Sequence, residues 1–208
     1  MLNVGILVSG GGSNLQAIID KHKEGYLPMC NLSCVISSNS EAYALTRAEK
    51  YGIKTVCIPN KDYPDRKEFT SRIVETLKEN SVDIVVMAGF MFILTDEFVK
   101  EYSNRIINVH PSLIPSFCGK GFYGLTPHIK ALEYGVKVTG ATVHFVNEGC
   151  DEGPIILQKT VEIKAEDTPE TLQKRVMEEA EWIVLPKALK LISEDKVKIE
   201  GRRTVISE

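Results

Sequence analysis

The chain has 208 residues, of which 43% are hydrophobic and 25% charged, the balance of an ordinary globular protein of one domain or one domain with a small appendage. A net charge of -3 gives no overall attraction to nucleic acid or to an anionic membrane, and no apolar run approaches the roughly 20 residues that a bilayer span needs. The opening MLNVGILVSGGG lacks a basic n-region, and its apolar run stops at a glycine loop, so it reads as a strand and not as a signal peptide.

In chain order, LNVGILV is a buried strand by length and content. SGGGSN follows and leads into LQAIIDKHK at helical spacing, with Ser13 or Asn14 as the natural N-cap. CNLSCVISS is a second strand, followed by a helix over residues 41–50. IKTVCIP is a third, followed by a helix through RKEFTSRIVETLKE. VDIVVMAGF is a fourth, TDEFVKEYS a short helix capped by Thr95 with acidic residues in its first turn, and RIINV a fifth strand. The pattern then changes. VKVTGATVHFVN and GPIILQKTVEI read as two extended segments joined by EGCDE. One long helix is expected from Pro169, which suits the first helical position, to about Ile192, and KVKIEGRRTVI reads as a terminal hairpin.

Strand–helix alternation of this kind predicts an α/β fold: a doubly wound, mostly parallel sheet with helices on both faces and a mixed C-terminal portion. The strands are continuous apolar runs, as expected where both faces are covered.

In an open α/β sheet, ligands bind beyond the carboxyl ends of the strands. SGGGSN, AGFMFIL and NVHPSL all fall at such ends, which is compatible with one shared crevice. The glycine loop offers close backbone approach and a helix N-terminus, which suits a phosphate. It is neither GxGxxG nor a GK[ST] P-loop, and a tight strand-to-helix turn is the competing reading, although three consecutive glycines exceed what such a turn needs. Asn108 and His110 close an apolar strand before Pro111. They are either a buried structural pair or groups aimed into a crevice, and their strand-end position favours the second.

Asp151, in the loop between the late extended segments, is either a solvated carboxylate or a partner of His110. His144 sits in TVHFV, where its neighbours do not alternate cleanly, and reads as a packed, hydrogen-bonded histidine. His22 and His128 receive no role. Five cysteines without a CxxC pair indicate neither a disulfide framework nor a zinc site, and the natural compartment is a reducing cytosol.

Together these stretches are more specific than any one alone. VGILVSGGGSNLQAII, VDIVVMAGFMFIL, NVHPSLIPSF, VKVTGATVHFVNEGCDEGPIILQ and EWIVLP occur in order and cover most of the chain. In these, the chain resembles the glycinamide ribonucleotide formyltransferases, folate-dependent enzymes of purine synthesis. The resemblance implies a single formyltransferase domain over residues 1–208, with a phosphate-binding half to about residue 105 and a catalytic and folate-binding half from about 106. It implies a cytoplasmic enzyme, monomer or homodimer, that acts on glycinamide ribonucleotide with 10-formyltetrahydrofolate as cosubstrate and needs no metal, nucleic acid or membrane.

Carried over by position, Asn108, His110 and Asp151 are the implied catalytic trio. Gly12, Ser13 and Asn14 would grip the ribonucleotide phosphate, and Glu181 would lie on the substrate side. Met91, Phe92, Ile93 and Leu94 would hold the folate pterin largely through backbone groups, with Asn108 and Arg66 also near the folate. The chain departs from many relatives at Phe92, where they carry Arg, at CGKGFYG, where they have a shorter turn, and at Glu152, where they have Gly or Thr. Lys120 in that longer loop is a candidate for a phosphate or the folate tail. The related tRNA-formylating enzymes normally add a C-terminal nucleic-acid-binding domain, for which this chain has too little length beyond its long helix and no basic surplus, and the formyl-folate hydrolases usually add an N-terminal regulatory domain, whereas the first strand here is expected from residue 2. Outside the superfamily, a nucleotide-binding oxidoreductase is disfavoured by the missing GxGxxG, and a non-catalytic module by the retained trio.

Overall fold

The computed structural model describes residues 1–207, and they divide into two compact units, Met1–Asn108 and Val109 onward. The first unit holds five parallel strands in the order β3-β2-β1-β4-β5, where β1 is Leu2–Val8, β2 Cys30–Ser37, β3 Lys54–Cys57, β4 Ile84–Met87 and β5 Ile106–His110. The register places Leu7 beside Met87, and Met87 beside Asn108. Val4, Ile6, Leu7 and Val8 are fully buried. Each such aliphatic side chain contributes about 1.5–3 kcal/mol relative to exposure, which is why the strands read as unbroken apolar runs.

The helices of this unit are α1 (Ser13–Lys23), α2 (Tyr43–Lys50), α3 (Arg66–Glu79) and α4 (Asp96–Glu101). Asp65 caps α3 by accepting from the Glu68 N–H, and Thr95 caps α4 by accepting from the Phe98 N–H. The start of α1 differs from expectation. Its N-cap is Gly12, in the left-handed region at φ 72, and neither Ser13 nor Asn14 fills that position. A Cβ on Gly12 would stand 2.6 Å from the Ala44 Cβ, so α2 packs directly against the loop backbone where only glycine fits.

The second unit contains α5 (Thr126–Tyr134), the antiparallel strands β6 (Val138–Phe145) and β7 (Ile155–Glu162), α6 (Pro169–Val176), α7 (Trp182–Ser193), and a separate hairpin of β8 (Val197–Glu200) and β9 (Arg203–Ile206). The parallel sheet with a mixed C-terminal portion is therefore borne out. Helix α5 was not anticipated, and the expected single long helix is interrupted. Residues Met177–Glu181 form a π turn between α6 and α7. Pro186 inside α7 removes the N–H that would bond to Trp182, the residue following that turn, so the irregularity abuts a place where the regular ladder is already broken. The start of α6 is fixed by a capping box, Thr168 with Thr171, and by Asp167, which pairs with Arg175. That guanidinium holds the Asp167 carboxyl down at about 2.

Gly140 lets β6 and β7 approach closely. A Cβ there would collide with the Lys159 carbonyl oxygen and come within 2.9 Å of Leu113 Cδ2. Gly140→Ala should therefore destabilise the fold by about 1–3 kcal/mol, the usual range for overpacking a filled site. Urea unfolding measures this, and an unchanged midpoint would show that the backbone accommodates the methyl group.

Candidate active site

In the first unit, the strand ends are tied together at Ser9. Its N–H donates to the Gly89 carbonyl at 3.1 Å, its hydroxyl accepts from the Met91 N–H at 3.0 Å, and its Oγ lies 2.7 Å from Ser38 Oγ. The loop after β1, the turn after β4 and the end of β2 thus share one residue. Asn108, partly exposed on β5, pairs in register with Met87 at the end of β4. The glycine loop, Met91–Leu94 and Asn108 accordingly stand at the carboxyl ends of adjacent strands.

Within the Met91–Leu94 strip, Met91 is 50% and Ile93 53% exposed, whereas Leu94 is buried. The Phe92 ring packs on Phe69 and Phe90 at centroid distances of 5.3 and 5.8 Å. Its side chain is committed to an aromatic cluster, leaving backbone groups as the polar surface of the strip. Arg66 opens α3 and lines a groove with Thr95, Asp96 and Glu97.

In the second unit, His110 and Asp151 come together. His110 is 4% exposed, and its Nδ1 lies 3.5 Å from Asp151 Oδ2. The same oxygen accepts from the Gly119 N–H at 2.8 Å. On the other side of the carboxylate, His144 Nε2 stands 3.6 Å from Oδ1. Asp151 has a φ of 59, a conformation that aspartate tolerates better than most residues and that is held here by these contacts. His110 follows Asn108 by two positions in the sequence of β5.

The hydrogen bonds assign the ring protons. His110 Nε2 is 3.0 Å from the Phe117 carbonyl oxygen, and a carbonyl only accepts, so Nε2 carries hydrogen and Nδ1 is the titrating position. His144 Nδ1 is 2.8 Å from the Phe145 carbonyl oxygen and carries hydrogen for the same reason. Burial lowers the His110 pKa below its ordinary 6.5, and the opposing attraction of Asp151 only partly offsets it. The free imidazole is therefore neutral at neutral pH, where a nearby carboxylate alone would have favoured imidazolium. Burial pushes Asp151 up, but His144, His110 and the Gly119 N–H together outweigh it and hold the carboxyl below its usual range.

The turn after His110 is braced by one buried hydroxyl. Thr142 Oγ1 donates to the Ser112 carbonyl at 2.7 Å and accepts from the Ile114 N–H at 3.1 Å and from Gln158 Nε2 at 3.0 Å. Gln158 also donates to the Ile114 carbonyl, and Ser112 Oγ to that of Ser116. The segment from Ser112 to Ser116 is thereby pinned to β6 and β7.

His144 was read from sequence as a packed, hydrogen-bonded histidine. It is both, but it also faces Asp151, a relation that the sequence reading missed. The signal was its failure to alternate with its neighbours, which reflects a register shift between Val143 and His144 that re-aims the side chain. Glu181, 6% exposed, ends the π turn, which packs against β6 and β7. His22 Nε2 lies 3.1 Å from the Cys30 carbonyl oxygen. His128 is fully buried with no hydrogen-bond partner on either ring nitrogen, and burial pushes it down to about 4. Among the described residues, no group of three or more His, Cys, Asp or Glu is arranged to hold a metal ion, and no helix is long and apolar enough to cross a membrane.

Since the Asp151 carboxylate favours imidazolium, Asp151→Asn should lower the His110 pKa further. NMR titration of the ring reads this directly, and an unchanged or higher value would show that the two groups do not interact.

Residues 2–195 match the family model described as Formyl transferase. The chain is 45% identical over 207 residues to the trifunctional purine biosynthetic protein adenosine-3 of Bos taurus, covering 99% of this chain and 20% of that protein. It thus spans about a fifth of the length of such trifunctional relatives. It is 36% identical to the phosphoribosylglycinamide formyltransferase of Haemophilus influenzae, over 96% of this chain and 91% of that protein. The crystal structure of glycinamide ribonucleotide transformylase 1 from Symbiobacterium toebii matches with a TM-score of 0.94 at 42% identity, covering 100% of this chain and 95% of that one. A formyltetrahydrofolate deformylase from Pseudomonas syringae matches with a TM-score of 0.89 at 29% identity, covering 100% of this chain and 66% of that one. On this sequence match and this structural likeness, the chain belongs to the formyl transferase family, among its phosphoribosylglycinamide formyltransferases.

Proposed function

We propose that the chain transfers the formyl group of 10-formyltetrahydrofolate to the amine of glycinamide ribonucleotide, giving formylglycinamide ribonucleotide and tetrahydrofolate. The observation that carries the chemistry is the ionised Asp151 facing Nδ1 of a buried, neutral His110, with Asn108 two residues earlier on the same strand. Membership among the phosphoribosylglycinamide formyltransferases supports the choice of substrates.

In this reading the substrate amine attacks the formyl carbon and forms a tetrahedral intermediate. Negative charge grows on the former carbonyl oxygen and positive charge on the attacking nitrogen. The Asn108 amide donates an N–H to the oxygen without changing charge. The amine proton passes through water toward Asp151 and His110. Once protonated on Nδ1, His110 places positive charge beside the oxyanion and supplies the proton that the leaving folate nitrogen takes up. Asp151 holds that imidazolium, and His144 holds Asp151. Gly12, Ser13 and Asn14 take the ribonucleotide phosphate on the loop backbone and the N-terminus of α1. Glu181 serves the substrate side, and Arg66, Asn108 and the backbone of Met91, Phe92, Ile93 and Leu94 serve the folate.

No acyl-enzyme is needed. Burial, reinforced by Asp151, raises the Cys118 and Cys150 thiols above their ordinary value, so both are protonated at neutral pH and poor nucleophiles. A second reading, hydrolysis of the formyl-folate with water in place of the amine, is favoured only by the likeness to the deformylase.

Mixing the protein with the formyl donor, with and without glycinamide ribonucleotide, separates the two spectrophotometrically. Folate product that depends on the amine is expected, whereas product formed equally without it would establish the hydrolase. Asn108→Ala and His110→Ala should each slow transfer by about 100- to 1,000-fold, the usual cost of losing one donor to a developing oxyanion. Asp151→Asn should also be severe with the fold retained, and near-normal transfer in any of the three would remove that residue from the mechanism.

A further inference from the structure

The two loops that meet at Asp151 each carry a cysteine that the transfer chemistry does not use. Cys118 precedes Gly119, whose N–H donates to Asp151 Oδ2 at 2.8 Å. Cys150 precedes Asp151 itself, and its Sγ lies 3.9 Å from the same Oδ2. The cysteines therefore stand one residue away from the two ends of a single hydrogen bond. Cys150 is exposed and Cys118 partly so, whereas Cys30 and Cys34 are buried.

The backbone on both sides is already in unusual conformations. Phe117, just before Cys118, has a φ of 50, and Asp151, just after Cys150, a φ of 59. Gly119 and Gly121, at φ 91 and 93, give the first loop freedom to adjust. A disulfide needs Cα atoms roughly 4.4–6.8 Å apart and draws the sulfurs to about 2.0 Å.

We propose that Cys118 and Cys150 form a dithiol modification site that takes disulfide oxidants such as glutathione disulfide, and that its closure into an intrachain disulfide withdraws Asp151 from His110. One cysteine thiolate attacks a sulfur of the oxidant, forming a mixed disulfide and releasing one glutathione thiolate. The second cysteine thiolate attacks the protein sulfur of that mixed disulfide and releases the other glutathione. The two cysteine protons end on the two glutathione thiols, so two protein thiols are oxidised and one disulfide is reduced. Because burial and Asp151 raise both thiols, the reaction quickens as pH rises. Bond formation pulls the Cys150 sulfur away from its place beside Oδ2 and turns the backbone at Asp151, whose left-handed conformation persists only while its contacts over-determine it. The loss of turnover rests on the formyl-transfer reading; the crosslink does not.

The test incubates the full chain with glutathione disulfide at mildly alkaline pH. The intact mass should fall by two hydrogens, and non-reducing peptide mapping should join the Cys118 and Cys150 peptides. Formyl transfer should drop roughly 100-fold, the cost of losing a positioned acid–base group, and return on reduction. Cys118→Ser and Cys150→Ser should each keep basal turnover and lose the sensitivity. Glutathione adducts without the intrachain bond would overturn the site, and a crosslinked protein of undiminished activity would overturn its effect. Should the reduced protein transfer no formyl group at all, the formyl-transfer reading fails, and NMR titration of His110 still decides the proposal. Its pKa should fall on crosslinking as Asp151 withdraws, and an unmoved pKa would overturn the effect.

Discussion

A carboxylate with little access to water organises the second unit. Asp151 takes one N–H from Gly119 and stands between two histidines, each of which has spent its other ring nitrogen on a backbone carbonyl. An uncompensated charge in such a place would be costly, and in isolation the group would neutralise itself by binding a proton. Its neighbours reverse that outcome. The same three contacts also fix where Asp151 points, so its charge state and its orientation come from one set of contacts. His110 shows the opposite balance: burial costs its charged form more than Asp151 returns, so the ring rests neutral. A charged carboxylate and a neutral ring thus sit 3.5 Å apart, each held in its deprotonated form.

The parts that hold this pair are less conspicuous than the pair itself. Thr142 is the crosspiece: a single hydroxyl serves two backbone groups of the turn after His110 and one side chain of β7. Replacing it would orphan several buried groups at once, each more expensive to strand than the bond was worth to make. In the first unit, Ser9 plays a comparable part, joining the ends of β1, β2 and β4 around one hydroxyl and one N–H.

Much of this was legible in the residues. The parallel strands stand out because burial on both faces leaves no polar alternation, and β1 and α3 run over the stretches their composition picks out. Asn108 and His110 were legible because a polar pair has little structural reason to end an apolar strand. Other features were hidden for particular reasons. The start of α1 was misplaced because Gly12 acts through the space it leaves for Ala44, which no capping rule registers. Helix α5 lies behind a glycine-rich loop that masks its short apolar face. The link between His144 and Asp151 depends on a one-residue bulge that breaks the period on which strand reading relies. The protonation of His110 turned on the depth of burial, a quantity the spacing of residues does not carry.

The π turn before α7 has a consequence for how this sequence can change. A π turn is a helix with one residue more than its regular path needs, and each residue advances a regular helix by about 100°. Leu172 and Val176 before the turn, and Val184, Leu185, Ala188 and Leu189 after it, are all buried only because that extra residue sets the phase between the two helices. Deleting one position within residues 177–181 would straighten the helix and swing the second apolar stripe away from its core, although no buried side chain had itself been altered. Insertions and deletions there are thus constrained by the phase between two helices and not by the identity of any one side chain.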